Sequence, residues 1–297
     1  MRRGTYSIVA RDPGSGELGV AVQSHWFSVG SVVSWARPGV GAAATQSVAE
    51  TAHGPGMLQK LAEGHDAPSA IAAVLEHDDL ARYRQLGIVD AHGHAASYTG
   101  PDCIPYAGDV VGEGFACQAN MMAREGVPEA MAGAFRHADG ELAERLLAAL
   151  RAAEQAGGDV RGRQSAALVV APVSGEPWRT RVEVRVDDSP QPLDELARLV
   201  RLARAYELAG AADELLAEGE GESANALYLR AAELAPEADE LAFWAGIGVA
   251  GSDMERGLEL VRRAVAVKDS WLVLLERLPA DLAPAASAVK AELERQP

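Results

Sequence analysis

The chain of 297 residues has only two cysteines, Cys103 and Cys117. Two are too few for the framework that staples small secreted domains, although a single bridge stays open, and small core fillers are the plainer reading. Cations are short as well, with 27 Lys and Arg against 43 Asp and Glu and a net charge of −16. A nucleic-acid backbone or an anionic membrane would be repelled by such a chain. No apolar run approaches the roughly 20 residues of a membrane-spanning helix, and no charged-then-apolar leader follows Met1, so a cytoplasmic protein is expected. Neither the His-Glu-x-x-His nor the Cys-x-x-Cys spacing of metal sites occurs, and Asp90, His92 and His94 read as a hairpin turn that happens to carry histidines. Gly39-Val-Gly41 and Gly112-Glu-Gly114 do not continue into a phosphate-binding Gly-Lys-Ser/Thr loop, and there is no Gly-x-Ser-x-Gly elbow. Neither a metal nor a cofactor is expected.

What is present is an ordinary globular composition, 48% hydrophobic, in two regions with different grammar. Up to about Val186, short β-patterned runs alternate with helical ones. Tyr6–Ala10 and Leu18–Val22 flank Asp12-Pro-Gly-Ser-Gly16, a cluster of turn formers that signals a hairpin. Further strands are expected over Val29–Ala36 and Val40–Gln46, so that four strands open the fold as one antiparallel sheet. Helices follow at Gly56–Glu63 and Ala67–His77, the second with Pro68 in its first turn, where a missing N–H costs nothing. Strands return at Tyr83–Asp90, His94–Thr99 and Val110–Asn120. Helices at Pro128–His137 and Glu141–Gln155 then precede strands at Ser165–Ala171 and Thr180–Val186. Helices arriving in pairs between antiparallel groups argue against a doubly wound parallel sheet. The expected class is α+β, a four-layer α/β/β/α sandwich over residues 1–208, followed by an all-helical region over 209–297.

The helical region carries an internal echo. Ala224, Tyr228, Ala231 and Pro236 return 33 residues later as Gly257, Val261, Ala264 and Asp269. Small, large, small and helix-ending positions at this period resemble the second helix of a tetratricopeptide unit, whose period is about 34 residues. A generic helical tail is the alternative. About two units are too few to stand alone, so the array is expected to pack on the first domain or on another copy.

At the head of the first expected strand stands Gly4-Thr5. A threonine hydroxyl is a poor nucleophile until a base takes its proton, and its own α-amine, with a pKa of about 7.7–8.0, is an economical one. That requires cleavage after Gly4, and a residue without Cβ suits the strained geometry in which Oγ attacks the preceding carbonyl. The same residue also serves as a plain β-former at a strand start. In the loop Gly157-Gly-Asp-Val-Arg-Gly-Arg163, Asp159, Arg161 and Arg163 are grouped so as to orient a substrate carboxylate or hold a catalytic terminus, or else to form local ion pairs. Asn120 is either an oxyanion donor or a turn cap.

Several blocks, in order, resemble a bacterial family known as domain of unknown function 1028. They are Thr5-Tyr-Ser-Ile-Val-Ala-Arg-Asp-Pro, Gly16-Glu-Leu-Gly-Val-Ala-Val-Gln-Ser24, Gly39-Val-Gly-Ala-Ala-Ala-Thr-Gln46, Arg84-Gln-Leu-Gly-Ile-Val-Asp90, Gly112-Glu-Gly-Phe and Gly162-Arg-Gln-Ser-Ala-Ala-Leu168. The resemblance runs from Thr5 to about Tyr206. It implies an Ntn-hydrolase-like sandwich, with Thr5 as nucleophile and Asn120 and Asp159 as catalytic partners. Ser24, Gln46, Arg161, Arg163 and Ser165 are the substrate-binding candidates it implies. Two positions depart from the family pattern: His25 stands where members carry lysine, and Ala119 where they carry glycine. His25 would serve as a base with a pKa near 6.5, more often neutral than a lysine. The expected function is an amidohydrolase acting on a small amide or peptide-like bond through an acyl-enzyme on Thr5. The alternative is a non-catalytic binding or scaffold protein whose residues 209–297 recruit a protein partner. A homo-oligomer, most simply a dimer, is expected in either case.

Overall fold

The computed structural model describes residues 4–295. It opens with the expected hairpin, β1 (Thr5–Arg11) and β2 (Leu18–Ser24). Asp12 closes the turn by accepting, through Oδ1, the backbone N–H groups of Gly14 and Ser15, both at 2.8 Å. A short side-chain acceptor mimicking a backbone turn is why Asp-Pro-Gly-Ser-Gly was readable from sequence.

The next segment departs from expectation. Instead of one strand over Val29–Ala36, a helical turn, α1 (Gly30–Val33), leads into a short strand, β3 (Ser34–Arg37). Ser31 Oγ donates to Ser28 O at 2.7 Å and Ser34 Oγ to Gly30 O at 3.0 Å. Val29 and Val33, four apart, are both fully buried. Hydroxyl-to-backbone bonds and burial at helical spacing override the β preference of the Val-Val pair. This turn also carries the chain from one sheet to the other, so the first four strands do not form a single sheet.

The chain continues through β4 (Gly41–Ser47), α2 (His53–Ala62), α3 (Ala67–Leu75), β5 (Arg84–Asp90) and β6 (Ala95–Thr99). The expected strand over Val110–Asn120 is a hairpin of β7 (Gly108–Gly112) and β8 (Phe115–Asn120), turned at Glu113-Gly114. Then come α4 (Val127–His137), α5 (Leu142–Gln155), β9 (Ser165–Ala171), β10 (Val182–Val186) and α6 (Pro192–Ala217). A capping box between Glu141 and Glu144 starts α5, satisfying two otherwise orphaned N–H groups.

Among the described residues one sheet has six strands in the order β10-β9-β2-β1-β8-β7, the other four in the order β3-β4-β5-β6. Every pairing is antiparallel. Helices α4 and α5 cover the outer face of the first sheet, α2 and α3 that of the second, and the inner faces pack on each other. This is the four-layer α/β/β/α arrangement. Cys103 and Cys117 are unbridged and buried, and burial pushes both thiols above their ordinary range.

The chain divides into two compact units, residues 1–200 and 201–297. The division falls inside α6, before the 208/209 boundary expected from sequence. The second unit continues with α7 (Gly221–Leu234), α8 (Asp239–Val249), α9 (Met254–Val267), α10 (Ser270–Arg277) and α11 (Ala286–Arg295). The repeating positions Ala224, Tyr228 and Ala231 lie on α7 and Gly257, Val261 and Ala264 on α9, and all six are buried. Tyr228 donates its hydroxyl to Asp213, and burial, reinforced by that carboxylate, raises the phenol well above its ordinary value. Among the described residues no helix is long and apolar enough to cross a membrane.

Candidate active site

Strand register brings the site together. Thr5 lies opposite Ser24 on β2 and opposite Asn120 on β8. Residues directly opposite in an antiparallel pair project to the same face. That inner face carries Thr5, Ser7, Ser24, Gln118 and Asn120 on the first sheet and Gln46 and Gln85, themselves paired, on the second. All seven are at most 1% exposed.

The Thr5 hydroxyl donates to Ser24 Oγ at 3.1 Å. Ser24 Oγ in turn donates to the carbonyl oxygen of Gly4. A second donor, Arg161 Nη2, reaches the same oxygen at 2.9 Å. The Gly4 carbonyl belongs to the peptide bond that Thr5 Oγ1 would attack, and two donors, one of them charged, are aimed at its oxygen.

Asp159 holds Arg161 in place. Its Oδ1 accepts Arg161 N at 2.9 Å and Nε at 3.1 Å, and its Oδ2 accepts Arg161 Nη2 at 2.8 Å and the backbone N–H of His25 at 3.0 Å. Four donors occupy one carboxylate that is 5% exposed. The loop is anchored to the sheet end by a bridge between Met122 and Asp159.

An amide network fixes the other side of Thr5. Gln46 Nε2 and Asn120 Nδ2 both approach Thr5 O, at 3.3 and 3.4 Å, and both donate to Gln85 Oε1, at 2.8 and 2.9 Å. Gln85 Nε2 then donates to Thr99 Oγ1 at 2.9 Å, Ala119 O at 2.9 Å and Gly108 O at 3.2 Å. Thr99 and Gly108 line a cleft of about 550 Å³ that also includes Cys103, Tyr106, Met122 and Arg124. Ser7 Oγ donates to Gln118 Oε1 at 3.0 Å, and the Gln118 amide lies where a Cβ on Gly87 would stand. Only a glycine lets the amide approach the facing strand so closely.

The remaining expected residues take other positions. The His25 ring is turned to Arg163 O, 3.3 Å from Nδ1, so its backbone rather than its imidazole joins the Asp159 cluster. Arg163 pairs with Glu154 at 2.8 Å and donates to Gln191 Oε1 at 2.8 Å. Glu154 accepts the buried hydroxyl of Tyr6 at 2.7 Å, and burial, then the Glu154 charge, raises that phenol well above its ordinary value. Arg163 thus buttresses the residue beside Thr5 rather than reaching Gly4. Ser165 Oγ accepts Val29 N at 3.0 Å and donates to Trp26 O, which holds the 26–29 turn. His94 Nδ1 lies 2.9 Å from Asp90 Oδ2, and Asp90 closes its own hairpin. Among the described residues no group of three or more His, Cys, Asp or Glu side chains is placed to hold a metal.

Gln85 and Gln118 were not expected from sequence. Their signal was faint: Gln85 is a single amide beside Arg84 at the start of its strand, and Gln118 stands two residues before Asn120 with no spacing that marks it as more than a polar strand position.

The profile of a family described as a family of unknown function, DUF1028, matches residues 5–196. The chain belongs to this family. A crystal structure of a DUF1028 protein from Silicibacter pomeroyi is 34% identical, with a TM-score of 0.62, covering 67% of this chain and 86% of the other. Thr5, the first residue of β1, is also the first residue that the DUF1028 profile matches. A slighter likeness, at 12% identity and a TM-score of 0.32, is to Anbu (ancestral beta-subunit) from Yersinia bercovieri, over 64% of this chain and 90% of that one. No curated protein matches the sequence.

Proposed function

We propose that this protein is an N-terminal-nucleophile amidohydrolase, with Thr5 as nucleophile, made active by cleavage of the Gly4–Thr5 bond. The observation that carries the reading is the pair of donors on Gly4 O, Ser24 Oγ and Arg161 Nη2, with the Thr5 hydroxyl bonded to the first of them. In the cleavage, Thr5 Oγ1 bonds to the Gly4 carbonyl carbon, and its proton passes through Ser24. Negative charge that develops on the carbonyl oxygen meets the guanidinium, which is held in advance by Asp159. The C–N bond then breaks, the nitrogen takes a proton to become the free amine of Thr5, and water splits the resulting ester. With residues 1–4 released, the amine serves as base while Oγ1 attacks the carbonyl of a small amide. The substrate amine leaves with the proton, and water regenerates the hydroxyl.

Gln46 and Asn120 hold the Thr5 carbonyl, and so the backbone from which Oγ1 projects. In this reading Asn120 is a positioning residue. His25 contributes through its N–H to Asp159.

Intact-mass measurement of protein made without an N-terminal tag tests the reading. A chain beginning at Thr5, and none in a Thr5→Ala variant, supports it. A chain that retains Gly4 under all conditions overturns it and favours the second reading, a non-catalytic sandwich with a tetratricopeptide-like region for self or partner association. What favours that second reading is the exposure of Leu272, Val273 and Leu282 in the helical unit.

A further inference from the structure

The residue before Thr5 describes the acyl group that the site accepts, an inference that rests on the nucleophile assignment above. An acyl group carried on Thr5 Oγ1 has its carbonyl carbon where that oxygen attacks, and the donors waiting there, Ser24 and Arg161, now hold the carbonyl of Gly4. Gly4 is thus the occupant of the acyl subsite in the uncleaved chain. A Cβ built on it in the L configuration stands 2.8 Å from the Cγ and both oxygens of Asp159, inside van der Waals contact. Something must shift, and the neighbour in the way is itself held by four hydrogen bonds. Both Asp159 oxygens are engaged, by the backbone N–H groups of His25 and Arg161 and by the guanidinium, and the carboxylate is 5% exposed. Rotating it breaks charge-assisted bonds in a buried place, where unmade hydrogen bonds are costly.

We infer that Asp159 is a specificity-determining residue, and that the acyl subsite takes groups unbranched at the α-carbon, such as glycyl or N-acylglycyl, and rejects L-aminoacyl groups that carry a side chain. The selected bond is then an amide whose acyl half is a glycine or another α-methylene acid. The chemistry is that of the acyl-enzyme above: the Oγ1–C bond forms, the amine or alcohol of the substrate leaves with the proton, and water cleaves the ester.

The test uses the full chain beginning at Thr5 and two activated esters that differ only in the disputed carbon, the p-nitrophenyl esters of N-acetylglycine and N-acetyl-L-alanine. Mass spectrometry of the Thr5 peptide locates the adduct, and p-nitrophenol release gives its rate. Acylation of Thr5 by the glycine ester is expected to exceed that by the alanine ester by at least about tenfold, given the usual cost of overpacking a rigid site. An Asp159→Ala variant is expected to narrow that ratio whatever its absolute rate. Equal rates on Thr5 overturn the subsite while sparing the nucleophile. Absence of any Thr5 adduct with either ester, while p-nitrophenol is still released, overturns both.

Discussion

Between the sheets, one end packs valine and alanine against valine and alanine, and the other packs amides against amides. Val9, Val20, Val22, Ala42, Ala44, Val89 and Ala116 fill the first, in one buried cluster with Leu18. Thr5, Ser7, Ser24, Gln46, Gln85, Gln118 and Asn120 fill the second, on the same strands and equally buried. The apolar end contributes transfer free energy and dispersion contacts. At the polar end Gln46 Oε1, Gln118 Nε2 and Asn120 Oδ1 have no hydrogen-bond partner within the protein, and a buried polar group that stays unpaired costs about 1–3 kcal/mol. One architecture therefore separates an apolar part, which stabilises by burial, from a polar part rich in amides, and the second is where the Gly4–Thr5 bond is held.

The sharpest way to break this contrast is at Arg161. An Arg161→Ala variant is expected to slow formation of the chain beginning at Thr5 by about 10²–10³, as loss of one oxyanion donor does elsewhere, read by intact mass against time. At the apolar end, Leu18→Ala is expected to lower unfolding free energy by about 2–5 kcal/mol while leaving the cleavage rate of the folded protein unchanged, measured by urea unfolding alongside the same mass assay. An effect on chemistry from Leu18 and none from Arg161 would invert the comparison.

A third variant probes a charged cluster outside the sandwich interior. Asp78 bonds Arg84 Nε at 2.7 Å and lies 2.7 Å from His53 Nε2. The Arg84 bonds hold its carboxyl well below the ordinary 3.8, against desolvation and with help from His53. A depressed folded value means that the stabilisation is complete above the unfolded pKa and is lost as pH falls from about 4 toward the folded value. Asp78→Asn is expected to flatten the acid limb of stability below about pH 4 and to lower stability at neutral pH, followed by urea midpoints across pH. The smallest effect is expected from the double change Ser7→Ala with Gln118→Leu. It removes a bonded pair and an unpartnered donor together, and such replacement is nearly neutral or stabilising, within about 1 kcal/mol. A loss as large as that from Leu18→Ala would mean that the polar end packs as tightly as the apolar one.

Local chemistry was readable where local atoms decide the outcome. Asp12 closes its turn with its own neighbours, and Glu141 and Glu144 cap α5 with each other, so both elements were legible. The segment Val29–Ala36 was not, because its helical turn depends on burying Val29 and Val33 against strands far away in the chain. The Asp159–Arg161 loop was a candidate by composition and resemblance, yet which arginine faces Gly4 depended on Glu154, 148 residues from Tyr6, drawing Arg163 away. Gln85 was invisible as a site residue, since a lone glutamine in a strand has no pattern.

The alternation of strand groups with paired helices, the absence of a membrane-spanning run, and the Gly-Thr pair at the head of the first strand follow from the amino-acid sequence alone. Turn chemistry, periodicity and charge act over a few residues and need no partner. The allocation of strands to two sheets, the polar end between them, and the setting of Arg161 and Ser24 on one carbonyl oxygen were decided by tertiary structure. They come from register and close packing between segments that lie from 20 residues apart, as Ser24 does from Gly4, to 157 apart, as Arg161 does, where an atom's neighbours are chosen by the whole fold.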